Sequence, residues 1–173
     1  MIRIKVSGLD RIKSKISAYQ RSLADKQRRF LERLAQIGID VADVRFKEAQ
    51  YDGVNDVEVS RTPEWDGDNR LFIVANGTAV AFIEFGTGVH YTEQHPKAAE
   101  LGMVRGGFGQ GKGAQDGWGY YGSPGTNGKV VRETDKGPVI FTHGNPPARA
   151  MYDAGKQMKE DVARIAREVF GSD

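Results

Sequence analysis

From residue 9 the chain repeats apolar positions in steps of three and four. They are Leu9, Ile12, Ile16, Tyr19 and Leu23, then Phe30, Leu34, Ile37, Val41 and Val44, with polar Gln27 filling the one missing step. Such spacing is the period of one helical face, and it predicts an amphipathic helix in a single phase over residues 9–49. Ser7 offers an N-cap oxygen, and Asp10 suits the positive end of the helix dipole. A helix of roughly 40 residues is about 60 Å long, more than the rest of the chain can cover. Either it breaks near Ala24-Asp25 or Gly38, or part of its stripe packs on another subunit. The unbroken phase favours a long helix with an intersubunit face.

Elsewhere the period is two, or too short to read. IRIKV (2–6) alternates like a half-buried strand, and VNDVEV (54–59) and RLFIVA (70–75) read as strands separated by the turn-rich TPEWDGDN. Asn76-Gly77 is a hairpin-type turn signal. The next run, TAVAFIEF, fits a strand paired back on 70–75. It also fits a short helix capped by Thr78 and ended by Gly86. Period alone leaves both open, and the capping residues favour the helix. KVVRE (129–133) and PVIFTH (138–143) form a predicted hairpin through Thr-Asp-Lys-Gly. Asn145 and Pro146 or Pro147 then open a last helix striped by Met151, Ala154, Met158, Val162, Ile165 and Val169, which Gly171 stops. The expected fold class is α+β: a long N-terminal and a C-terminal helix packed on a small, mostly antiparallel sheet, in one domain spanning 1–173.

Residues 102–128 contain eleven of the 22 glycines. So much glycine disfavours independent order, and the segment is expected to be a flexible arm. Phe108, Trp118, Tyr120 and Tyr121 are embedded in it, as anchors able to dock on the domain or on a neighbour.

Charge changes the picture more by its distribution than by its sum. The net +2 hides a front of twelve Lys/Arg against six Asp/Glu in residues 1–50 and a middle of three against nine in residues 51–100. A basic front on an acidic middle suits contact between subunits. Basic residues also suit nucleic acid, and a solvated helix face requires neither. With no cysteine, disulfides, thiolate metal sites and Cys nucleophiles are excluded. No run of about 18 apolar residues predicts a membrane span. The N-terminus lacks an apolar h-region, so the protein is expected to stay in the compartment where it is made.

Candidate chemistry is thin. Glu84 and His90 flank Gly-Thr-Gly, an arrangement that invites an acid/base reading, but no Ser nucleophile elbow accompanies them. A glutamate near a helix C-terminus meets the unfavourable end of the dipole, so Glu84 is expected to have a compensating partner, Arg149 or the amides of Thr87 and Gly88. His90 and His95 are five apart, with Glu93 as the nearest further ligand, which is short of the three or four convergent ligands a metal needs. As loop histidines they read as solvent contacts. GGFGQGKG departs from a phosphate-binding loop because Gly follows Lys112. Arg105, Lys112 and the aromatics are ingredients for single-stranded nucleic acid. No catalytic residue, metal site or cofactor is expected.

Two short motifs and their order carry a resemblance. EFGTG (84–88) follows a hydrophobic segment, GNPPARAMYDAG (144–155) opens the last helix, and GWGYY (117–121) lies between them. The arrangement resembles the tail-completion, or head–tail joining, proteins of long-tailed bacteriophages, described as minor tail or minor capsid components. Glu84, Phe85, Gly86 and Thr87 match the family's first motif, and Pro147, Ala148 and Arg149 match the second. Ala150 and Met151 depart from its usual Pro-Phe. The resemblance implies a non-enzymatic structural protein of the virion neck, assembled in the host cytoplasm. It would form a homo-oligomeric, sixfold ring between head-closure (stopper) proteins and the tail terminator or tail-tube proteins, with non-specific contact to DNA in the channel and none to membrane. The alternative from the residues alone is a small basic nucleic-acid-binding or nuclease-like protein.

Overall fold

A computed structural model describes residues 8–91, 93–103 and 116–171. The period-two segment at 2–6, and residues 104–115 of the glycine-rich run with Phe108, lie outside the described residues.

Helix α1 (Leu9–Lys47) runs unbroken for 39 residues, about 60 Å at ~1.5 Å per residue. Neither Ala24-Asp25 nor Gly38 interrupts it. The short strands follow: β1 (Glu58–Val59), β2 (Glu64–Asp66), β3 (Arg70–Phe72) and β4 (Ala75–Asn76). β1 pairs with β4 and β2 with β3, both antiparallel. Helix α2 (Val80–Phe85) comes next, then β5 (Trp118–Tyr121), β6 (Lys129–Thr134) and β7 (Gly137–Thr142), which form an antiparallel sheet in the order β5-β7-β6. Helix α3 (Ala150–Phe170) ends the described chain, with Gly171 after it. The architecture is α+β: two helices against small antiparallel sheets.

Several local expectations change. The turn-rich segment before residue 70 contributes a strand of its own, since Trp65 pairs with Leu71 across a hairpin turned at Gly67, φ 69°. Asn76-Gly77 leads not into a hairpin but into α2. Thr78 does not cap that helix. The Asp56 carboxylate does so from outside, accepting the Thr78 and Ala79 amides at 2.8 and 2.9 Å and the Thr78 hydroxyl at 2.7 Å. The glycine-rich segment is no arm from 117 onward, because Trp118, Tyr120 and Tyr121 pair with Thr142, Ile140 and Val139.

α3 packs along the C-terminal half of α1. The most buried α1 residues there are Ala35, Gly38, Ile39, Ala42 and Phe46, a set centred more than a quarter turn from the stripe of larger residues that the period marks. Phe30, Leu34, Ile37 and Val41 on that stripe are only partly buried, and Val44 is exposed. Small residues explain the shift. At Gly38 a Cβ would meet Met158 Sδ at 2.7 Å and also the side chain of Ile73, which follows β3, so α3 and the segment after β3 press on α1 at this glycine. Ile39, Ala42 and Phe46 join Val59, Ala79, Ile83, Ala150 and Ala154 in the core. Arg33–Glu168 at 2.9 Å and Arg45–Asp153 at 3.2 Å span the two helices at the surface, where such pairs contribute little.

Candidate functional site

The residues that carried the resemblance converge on one joint, where α2 ends and α3 begins. α2 stops at Phe85 because Gly86 turns the chain at φ 79°, ψ 172°, a conformation open essentially to glycine. A Cβ at Gly86 would also lie 2.8 Å from both Asn145 O and Pro147 N. The orphan carbonyls of this short helix are met by the second motif: the Ala148 amide donates to Ile83 O at 2.8 Å and the Arg149 amide to Glu84 O at 3.2 Å. In return, the Glu84 carboxylate accepts the first amides of α3, Met151 N–H at 2.8 Å and Tyr152 N–H at 3.0 Å. An anion at a helix N-terminus is stabilised by both dipole and hydrogen bonds. Thus the negative end of α2 meets the positive end of α3, with Glu84 as the pin between them.

The expected compensating partner of Glu84 is therefore corrected. It is neither the Arg149 guanidinium nor the Thr87 and Gly88 amides, but the start of α3. Arg149 is exposed and occupies the N-cap of α3 at φ 56°, ψ 32°, the one non-glycine residue of positive φ among the described residues. Asn145 does not cap α3 either. It forms a two-way backbone bridge with Thr87 at 2.9 and 3.1 Å, and its amide Nδ2 donates to Thr87 Oγ1 at 3.1 Å. Its Oδ1 accepts the Asp52 amide at 2.8 Å. Asp52, buried, extends the network by accepting the Asn127 amide at 2.7 Å and the Thr142 hydroxyl at 2.6 Å. Burial raises the Tyr51 and Tyr120 hydroxyls above the usual tyrosine range, and the Asp52 charge adds to the shift. Both remain donors at neutral pH, and Tyr120 donates to Ser123 O at 2.7 Å.

His95 was missed by the sequence reading, which placed it in solvent. It is 3% exposed, with Phe85 and Tyr152 edge-on to its ring at centroid distances of 4.7 and 5.6 Å. Its Nδ1 accepts the Lys97 amide at 3.1 Å, which assigns the proton of the neutral ring to Nε2. Nε2 lies 3.4 Å from Glu84 Oε1 and makes no hydrogen bond, the one such buried side-chain atom among the described residues. No periodicity or motif in TEQHPK marks this burial. Phe85 is thereby tied into the joint, and Pro147 lines it, half-buried.

Glu84 and His90 are not brought together as an acid/base pair. Glu84 is bound to amides, and His90 is exposed and pairs with Asp116. His143 Nδ1 lies 3.0 Å from Asp116 O on the same surface. Among the described residues no group of three His, Cys, Asp or Glu is placed to hold a metal ion, and no helix is long and apolar enough to cross a membrane. Trp118 is half-buried beside Gly88, whose Cβ position is 3.2 Å from Trp118 Cζ3, whereas Tyr121 is 56% exposed on β5.

The second notable surface is the free half of α1. Every residue from Gly8 to Asp25 is exposed, including Leu9, Ile12, Ile16, Tyr19 and Leu23 at 45–70%. Arg11, Lys13, Lys15 and Arg21 accompany them. Five large apolar side chains in one exposed stripe form a larger patch than isolated surface hydrophobics do. No family model, no curated protein and no solved structure matches this chain.

Proposed function

We propose that the protein is a structural component of a phage virion neck, a homo-oligomeric ring joining head-closure proteins to the tail. The observation that carries this reading is the joint. Glu84-Phe85-Gly86-Thr87 and Pro147-Ala148-Arg149 carry the resemblance to tail-completion proteins, and they are hydrogen-bonded to one another although about 60 residues separate them. Two motifs that serve one structural purpose support a shared architecture better than either does alone. In this reading Glu84 is a pin, and the protein acts by assembly rather than by catalysis. A ring built by repeating one contact needs two different complementary faces on each copy. The exposed apolar stripe of α1 supplies a candidate for one of them.

Light scattering on the purified protein, with and without particle extracts, tests the reading. A ring-sized species, sixfold by the family resemblance, and its presence at the head–tail junction of imaged virions are expected. A strict monomer absent from particles overturns it. The second reading, nucleic-acid binding by Arg11, Lys13, Lys15 and Arg21, is favoured by their common exposure. It requires an affinity that falls steeply between two salt concentrations.

A further inference from the structure

The geometry points to the free half of α1 as a docking element that lies across the acidic β2–β3 hairpin of a second copy of this chain. This assignment rests on the ring reading and names its contact. The stripe Leu9, Ile12, Ile16, Tyr19, Leu23 lies beyond the end of α3: Phe170, at the end of α3, packs on Phe30 at a centroid distance of 5.7 Å, and from Asp25 to Gly8 no described residue covers the helix. At 100° per residue Lys13 and Lys15 flank the stripe on its two sides. The element is therefore apolar along its centre and positive along both margins.

Pairing two such helices stripe to stripe would bring these margins together, lysine against lysine, and like charges across an interface are costly. An acidic, partly apolar surface fits better, and the chain carries one. On the β2–β3 hairpin, Trp65 and Leu71 form the half-buried face, and Arg28 stacks over Trp65 at 4.4 Å. The opposite face exposes Glu64 and Asp66, with Arg70 ion-paired to Asp66 at 2.9 Å and Phe72 50% exposed, and exposed Asp68 lies in the turn. Three carboxylates around an exposed phenylalanine match an apolar stripe edged by lysines. In its own chain the hairpin is held to α1 by Arg28 and by Gln27, whose Nε2 donates to Asn69. Gln27 continues the line of the stripe, so the hairpin sits at its C-terminal end, and the hairpin's outer face and the stripe are two different surfaces of the same copy, as a head-to-tail contact requires.

The test compares the full-length chain with three variants by light scattering and analytical centrifugation. One carries Ile16→Asp and Leu23→Asp, the second carries Glu64→Lys, Asp66→Lys and Asp68→Lys, and the third carries Lys13→Glu and Lys15→Glu. All substituted side chains are exposed, and circular dichroism checks that each variant folds. The wild type is expected to form the ring-sized species. Each variant is expected to associate at least tenfold more weakly, and the lysine and hairpin reversals mixed together are expected to recover association. A hairpin reversal that leaves the oligomer intact overturns the assignment while the ring reading stands. A wild type that is monomeric at every concentration overturns the assignment, and the ring reading falls with it where the protein is also absent from particles. Pelleting of the wild type with anionic lipid vesicles without self-association, or retention on DNA abolished by the lysine reversal alone, also overturns it by giving the stripe a different occupant.

Discussion

Residues 9–25 and 26–47 of α1 share one apolar period on one unbroken helix, yet the first part is bare and the second is pressed between α3 and strand residues. The difference lies in the small residues. Ala35, Gly38 and Ala42 let neighbouring elements approach, and they shift the deepest burial away from the larger stripe residues. The exposed half has no such row of small buried residues facing a partner within the chain. An apolar period therefore states that a face will be covered, whereas residue size at its edges decides how closely and by what.

Phe46 sits at the buried extreme of this comparison, at 1% exposure. Phe46→Ala is expected to cost about 3–5 kcal/mol, read as a lower urea midpoint. A loss below about 1 kcal/mol would mean that the two halves differ less than their burial indicates. Glu84→Gln comes next, at about 1–3 kcal/mol, because a carboxamide cannot accept from both the Met151 and Tyr152 amides through its two ends. Arg149→Gly separates this pin from the ion pair first expected there. The glycine keeps the amide that bonds Glu84 O and relieves a left-handed conformation that costs other residues about 1–2 kcal/mol. It should be neutral or mildly stabilising, and a clear loss would restore a role for the guanidinium.

Asp56 provides a contrast with Glu84, for it caps a helix from the surface. Hydrogen bonds from the Thr78 hydroxyl and then from the Thr78 and Ala79 amides hold its carboxyl at about 2. Because the folded value is depressed, its contribution is full above the ordinary aspartate range near 4 and is lost as pH falls through about 2. The melting-temperature gap between wild type and Asp56→Asn should close across that window, and a gap independent of pH would remove the carboxylate from the account. The smallest effect is expected at the bare end of α1. Ile16→Ala should change monomer stability by less than about 0.5 kcal/mol, and any larger loss would reveal a cover for the stripe within the chain.

Both long helices were legible because period and stop signals agree over many residues, as with Gly171 after Phe170. The strand at Glu64–Asp66 was not, because two-residue and three-residue pairings leave no countable alternation. The long-range polar partners were least legible. Nothing local to Glu84 announces the amides of Met151 and Tyr152, and nothing around His95 announces that Phe85 and Tyr152 enclose it. Gly86 alone advertised the joint, since a glycine at the end of a short apolar run implies a turn that others cannot make.

The joint also bears on the speed of folding. Its hydrogen bonds connect residues 58 to 93 positions apart, whereas α1 is built from contacts four apart. Loop closure must precede such distant bonds, and chains rich in them fold slowly. α1 is expected to be helical before the pin engages, so substitutions at Glu84, Asp52 and Asn145 should accelerate unfolding and leave the refolding rate almost unchanged. Stopped-flow folding and unfolding rates would measure this, and slowed refolding of Glu84→Gln would place the joint in the nucleus instead.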